Sequence, residues 1–207
     1  MKNRGLFISF EGIDGCGKTT QIDILAKKLR KEKKRVLLTR EPGGTPLAEN
    51  IRNLILHTFN EKVAKETELL LYAAARAQHV ETLIKPNLKS GAIVLTDRFA
   101  DSTVAYQGGG RNIKAVAIER LNKFATGGLE PDVTFLFDLP VKVAALRMAK
   151  GKRKKDRLEL EGLAFQEKVR RSFLKIAAAH KKRICIIDAS RSVEDQADIV
   201  YAAICRV

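Results

Sequence analysis

Cysteine is scarce in this chain and poorly placed for cross-linking. Cys16, Cys185 and Cys205 are an odd number, lie far apart, and form no C-x-x-C pair. This argues against a disulfide framework or a zinc site and suits a reducing, cytoplasmic setting. Long apolar runs are also missing. None approaches the roughly 18 residues needed to cross a bilayer, and the apolar stretch 69–75 is flanked by charge, so no membrane partner is expected. The start, Met1-Lys2-Asn3-Arg4-Gly5, leads straight into a strand-like run with no small-residue cleavage pattern, so no signal peptide is expected. Repeats, low-complexity tracts and Pro/Gly-rich linkers are absent too. The 207 residues therefore read as one domain, 1–207, large enough for a substantial core.

Short apolar runs alternate with longer segments of helical spacing. Leu6-Phe7-Ile8-Ser9-Phe10, 36–38, 92–95, 133–137 and 184–187 read as five strands. They are nearly continuously apolar, as parallel strands covered on both faces should be. Ile22, Leu25, Ala26 and Leu29 recur at helical spacing after the first strand, and Val193, Ala197, Val200, Tyr201 and Ile204 do so near the end. Ser192 with Asp195 resembles a capping box opening that last helix. Alternating β and α predicts an α/β fold with a five-stranded parallel sheet and helices on both faces. In such folds ligands bind beyond the carboxyl ends of the strands, where the chemistry-bearing motifs of this chain fall.

Gly12-Ile13-Asp14-Gly15-Cys16-Gly17-Lys18-Thr19 matches G-x-x-x-x-G-K-[ST] in full, after a strand and opening a helix. Glycines let the backbone form a nest whose N–H groups point at phosphate oxygens, and the helix N-terminus adds positive potential. Residues 12–20, including Thr20, are therefore read as the ATP site. Lys18 is expected at the β and γ phosphates and Thr19 on Mg²⁺. Asp97, after the third strand, is a second candidate for the metal, though a capping role fits the same position. Glu11 and Asp14 are further acidic candidates for metal or acceptor contacts, with a solvated surface role fitting each equally. The formal charge of +15 would attract two phosphate-bearing substrates. The densest basic run, 150–155, occupies one short loop rather than a whole face, so no stable nucleic-acid partner is expected.

A phosphate loop does not name the acceptor. Three further segments narrow it: Thr39-Arg40-Glu41-Pro42-Gly43-Gly44-Thr45 after the second strand, residues 70–78 on a helix, and residues 97–108 after the third strand. With the phosphate loop, in this order and spacing, they resemble thymidylate kinase of the bacterial kind, from about Gly5 to the C-terminus. The resemblance implies a P-loop kinase fold, transfer from ATP with Mg²⁺ to dTMP, supply of the dTTP pathway, and a homodimer. By similarity, Arg98 holds the acceptor phosphate, Tyr72 stacks on thymine and Arg76 hydrogen-bonds its carbonyl edge. Ser102, Thr103 and Gln107 line the base and sugar pocket, and Tyr106 crowds the ribose 2′ position. Glu41 and Arg52 shape the monophosphate pocket, with Asp14 beside them. Tyr72 and Arg76 are four apart, so one helix face can offer ring plane and ring edge together. By position alone Tyr72 could equally be core, and Arg98 part of a structural ion pair.

The chain departs from the family pattern in places. Its phosphate loop has no arginine, a case in which the family carries one on a lid over the phosphates, here at about 149–160. Several of the usual lid arginines are lysines in this chain. Arg153 is the first choice for the catalytic arginine, ahead of Arg147 and Arg157, and a solvated charge run is the alternative. Phe99 stands where tyrosine is common. Cys16 stands where a smaller residue is frequent; a helix N-terminus can favour its thiolate, whose oxidation would block ATP binding, but the sequence does not decide whether Cys16 is redox-sensitive.

Overall fold

The computed structural model describes residues 4–57, 61–149 and 157–205. Five strands form one parallel sheet: β1 (Phe7–Glu11), β2 (Val36–Arg40), β3 (Ile93–Asp97), β4 (Val133–Asp138) and β5 (Ile184–Asp188), in the order β2-β3-β1-β4-β5. The chain starts in the middle, steps outward to β2, and crosses back over β1 to build the other half. That reversal leaves a crevice at the carboxyl ends of β1 and β3, which is the ligand position of this topology.

Burial explains the apolar runs. Every residue of β1 is buried, and β4 is buried from Val133 to Phe137 with Asp138 half-buried, whereas the edge strands β2 and β5 are partly open. Alternation within a strand sends neighbours to opposite faces. Ile8, Phe10 and Leu95 join the larger core cluster, while Phe7 and Val94 join a second cluster with Val80, Ile84, Leu88 and Phe99. Helix α1 (Lys18–Lys31) buries Ile22, Leu25, Ala26 and Leu29 on the first cluster, the stripe read from the sequence. Helix α9 (Val193–Ile204) is capped by the Ser192 hydroxyl, which accepts from the Asp195 amide, and buries Val200 and Ile204. Val193, although it opens the apolar stripe, is 43% exposed. Gln196 takes the inward position, donating to the carbonyls of Ala189 and Arg191.

Helices α2 (Pro46–Leu56) and α3 (Lys65–His79) follow β2 and pack side by side, and α3 also packs on α6 (Ala115–Thr126). Helix α3 runs on through a π segment, Val80–Ile84, into α4 (Lys85–Lys89). After β3, the short α5 (Ala100–Thr103) passes into a second π segment, Val104–Gly110. Helices α7 (Val141–Ala149) and α8 (Gly162–Ala179) complete the chain. The second π segment matters for function. Widening the helix by one residue per turn re-aims side chains, and such bulges recur at functional sites. Tyr106 and Gln107 both lie on it.

Candidate active site

The phosphate loop spans β1 and α1, with Gly17 as the N-cap of α1 in left-handed geometry. Two glycines are sterically required. A Cβ on Gly12, at φ 135°, would lie 2.5 Å from the Phe137 carbonyl oxygen, and one on Gly15, at φ 79°, 2.8 Å from that of Ala144. Lys18 folds back over the loop, its Nζ 3.1 Å from the carbonyl oxygens of both Gly12 and Ile13. Thr19 and Thr20 are exposed at the start of α1. The Thr19 hydroxyl donates to Asp97 Oδ2 at 3.0 Å. Asp97 is the last residue of β3, so the two candidate metal ligands are adjacent. Among the described residues no cluster of three or more His, Cys, Asp or Glu side chains could hold a metal by itself. The open question of Cys16 is answered by its place: it is fully buried in the core, so packing shields its thiol from oxidants.

Directly after β3, Arg98 sits at φ 73°, a left-handed conformation that costs a side-chain-bearing residue about 1–3 kcal/mol. Its guanidinium donates to the Gly12 carbonyl (3.0 Å), the Ser102 hydroxyl (3.2 Å), Asp14 Oδ1 (2.8 Å) and the Tyr106 hydroxyl (3.1 Å). Burial works against its charge, but Tyr106, Asp14, Asp97 and Glu11 outweigh burial and hold its pKa above the ordinary arginine value. Burial likewise raises the Tyr106 phenol well above its usual pKa, so it stays a neutral hydrogen-bonding group.

Glu11 ends β1 fully buried and supports this turn. It accepts from the Ser9 hydroxyl (3.0 Å), the Phe99 amide (2.7 Å) and the Ser102 hydroxyl (2.5 Å). Burial, and then the charge of Asp101, push its pKa from 4.5 to about 7. Those partners make it a brace for the turn after β3, not a ligand of metal or acceptor. Asp101 itself is held by the Arg183 fork at 2.7 and 2.9 Å.

A cavity beside the loop brings together Asp14, Glu41, Arg52, Tyr72, Arg76, Arg98, Ser102, Thr103, Tyr106 and Gln107, all ten acceptor-side residues expected from the sequence. Pro42, Leu56, Phe99 and Leu158 complete its wall. An adjoining groove runs along Gly15, Gly17, Lys18, Thr19, Thr20 and Asp97, and the two spaces share Asp14, Glu41, Arg52 and Arg98. Arg98 therefore stands between the groove along the phosphate loop and the second cavity. Phe99 is buried edge-on against Phe7, ring centroids 4.9 Å apart, and serves packing.

Arg76 is more constrained than an edge-reading role requires. It is 1% exposed. Its Nε donates to Glu41, Nη1 to Thr103 and Asn122, and Nη2 to the Phe99 carbonyl. Among the described residues these contacts use four of its five guanidinium hydrogens, leaving one on Nη2. Glu41 also binds His79 Nδ1 at 3.0 Å, and His79 Nε2 lies 2.7 Å from the Thr39 hydroxyl. Glu41 and Thr103 thus act on the pocket through Arg76. Arg52 donates to the Pro42 carbonyl at 2.9 Å.

Sequence reasoning missed His79, Asn122, Glu68 and Arg111. Glu68 is buried on α3 and accepts from Gln107 and from both arms of Arg111. The signal was available for two of them. Glu68, Tyr72, Arg76 and His79 recur at four, four and three residues, so they share a helix face, and a carboxylate on that buried face calls for partners. Arg153 and residues 150–156 of the expected lid lie outside the described residues. Of the alternatives, Arg147 donates to the Ala189 carbonyl, and Arg157 donates to the Ile55 carbonyl and pairs with Glu68.

A phosphate loop meeting a second cavity at a shared arginine, on a five-stranded parallel sheet, is the arrangement of a P-loop kinase acting on a small phosphate-bearing acceptor. The thymidylate kinase family model matches residues 10–199. Among similar proteins are the thymidylate kinase of Geobacter sulfurreducens, 49% identical with 95% of this chain and 94% of that protein covered, and that of Pseudomonas putida GB-1, 51% identical with 92% and 90% covered. The thymidylate kinase of Geotalea daltonii is 48% identical, covering 97% and 96%. The chain belongs to the thymidylate kinase family.

Proposed function

We propose that the chain moves the γ-phosphoryl group of ATP to dTMP in one in-line step, at the point where donor groove and acceptor cavity meet. An oxygen of the dTMP phosphate forms the new bond to the γ-phosphorus as its bond to the bridging β–γ oxygen breaks, giving dTDP and ADP. The product is one phosphoryl group short of dTTP for DNA synthesis. The observation that carries this reading is Arg98, which lines both spaces. Its planar fork suits a phosphate monoester, and exchanging Asp14 for acceptor oxygens keeps a partner on the charge. Lys18 and the N-terminus of α1 hold the donor phosphates. Such a transfer needs positioning and charge rather than a covalent nucleophile. Tyr72 stacks on the base, and Tyr106 closes the sugar side.

Thr19 and Asp97 offer a hydroxyl and a carboxylate side by side. Hard oxygen donors few in number suit Mg²⁺, which keeps waters and substrate oxygens as its other ligands. Held there, the ion supplies neutralisation of phosphate charge. Arg153 is proposed as the late-arriving cation within a lid at about 149–160, since Arg147 and Arg157 are tied to other groups.

Among the described residues no helix is long and apolar enough to cross a membrane, and all three cysteines are free; a cytoplasmic setting suits both. Leu47 and Leu54 on α2, Leu70 on α3, and Val116 and Phe124 on α6 are exposed, Phe124 by 85%. So apolar a run across adjacent helices fits an interface, and we assign it to a second copy of the chain. Sedimentation equilibrium should give the mass of two chains, and a monomer would refute the assignment. For the mechanism, Lys18→Ala should lower kcat by about 10²–10³-fold, the scale of removing one transition-state donor. Calorimetry should show dTMP binding within about twofold of wild type, since Lys18 does not line the acceptor cavity. Near-normal turnover would mean that the loop is not the donor site.

A further inference from the structure

Gln107 raises a question that its place in the cavity does not answer: which end of its amide meets the base. A glutamine can offer either two donors or an acceptor, and a pocket that lets it turn discriminates poorly. The surroundings of Gln107 decide the matter. Its Nε2 lies 2.8 Å from Glu68 Oε1. Glu68 carries the Arg111 fork at 3.2 and 3.1 Å and Arg157 Nη2 at 2.7 Å. Burial opposes its charge, but hydrogen bonds from Arg111 and Gln107 and the nearby cations prevail and leave its pKa below the usual glutamate value. A carboxylate with two arginines on it is an acceptor only, so the amide end facing it has to be the NH₂. The Gln107 backbone carbonyl accepts from the Ile113 amide, whereas its side-chain oxygen Oε1 has no protein partner among the described residues, and Gln107 lines the cavity beside Tyr72 and Arg76.

We propose that Glu68 is a specificity-determining positioning residue that locks the Gln107 amide with its carbonyl oxygen toward the acceptor base. This rests on Gln107 being a base-pocket residue. The cavity edge then reads as the one open N–H of Arg76 followed by the C=O of Gln107. A pyrimidine with a 4-carbonyl and an N3–H, such as thymine, matches both. Cytosine presents an amino group and a bare N3 at the same places, so it sets donor against donor and acceptor against acceptor. Glu68 touches no substrate. It acts by forbidding the amide flip that would accommodate cytosine, and Arg111 and Arg157 act by keeping it charged.

The test is the ratio of kcat/KM for dTMP over dCMP in the full-length enzyme. Glu68→Gln keeps the shape but can both donate and accept, so it releases the amide. The ratio should fall by about tenfold or more, the scale at which a mismatched polar contact discriminates. The loss should appear chiefly as a higher KM for dTMP, with the KM for ATP within about twofold of wild type. Mere destabilisation would not move a ratio between two acceptors. If Glu68→Gln unfolds because Arg111 and Arg157 lose their counter-charge, Glu68→Asp retains the charge while withdrawing it by one methylene, and the same fall is expected. An unchanged ratio in whichever variant folds, with Gln107→Leu losing selectivity, overturns the role of Glu68 and leaves Gln107 in place. An unchanged ratio in Gln107→Leu overturns the base-reading role of Gln107, and the proposal with it.

Discussion

Arg76, proposed to read the acceptor base, is also a structural residue. Its Nε lies 2.7 Å from Glu41, and both side chains are almost wholly buried. Removing one partner of such a pair leaves an uncompensated charge in the interior, which costs about 3–5 kcal/mol. Arg76→Ala should therefore lower unfolding stability in urea by that amount, as well as weakening dTMP use. Equal stability of the variant and the parent would show that Glu41 finds another cation or leaves the interior. A merely catalytic lesion would reduce acceptor use alone, and the hydrogen bonds to Thr103, Asn122 and Phe99 argue against that.

Among the elements, the end of β1 and the turn after β3 form one unit through Glu11. Its pKa is pushed up to about 7 in the folded protein, so between about pH 4.5 and 7 the folded state binds more protons than the unfolded chain. Stability contributed by this group is therefore present at low pH and lost as pH rises through 7, by up to about 3 kcal/mol. Glu11→Gln should flatten that part of the stability–pH profile measured by urea unfolding at pH 5 and pH 7.5. A profile as steep as that of the wild type would assign the dependence to another group.

Elements also show what the sequence could and could not reveal. The five strands were legible because buried parallel strands are nearly all apolar, and the phosphate loop because its chemistry is confined to eight consecutive residues. The Tyr72–Arg76 face followed from helical spacing. The partners of that face did not. Glu41 lies 35 residues from Arg76, and Asn122 lies 46 away. Glu41 follows the end of β2, and only the tertiary fold brings it to Arg76 and His79 on α3. The π segment at Val104–Gly110 escaped notice because its apolar spacing differs from an α-helix by a single residue per turn. The reactivity of Cys16 stayed open for a related reason: a helix N-terminus is visible in sequence, whereas the burial of one side chain beneath it is not.

At the scale of the molecule, the fold sets a groove along the phosphate loop beside a second cavity and makes Arg98 their common wall, which is where we propose that the two nucleotides meet. The net charge of +15 draws both polyanions toward it, an attraction that salt should weaken. The central claim is that the second site accepts dTMP and not merely any phosphate. Product analysis with ATP and Mg²⁺, offering dTMP, dUMP, dCMP and dGMP separately, addresses it most directly. The structure predicts dTDP and ADP in equal amounts, with kcat/KM for dTMP above that for dCMP by about 10²-fold or more, since two polar contacts are mismatched for cytosine. ATP hydrolysis without a nucleoside diphosphate product, or equal use of dTMP and dCMP, would contradict it.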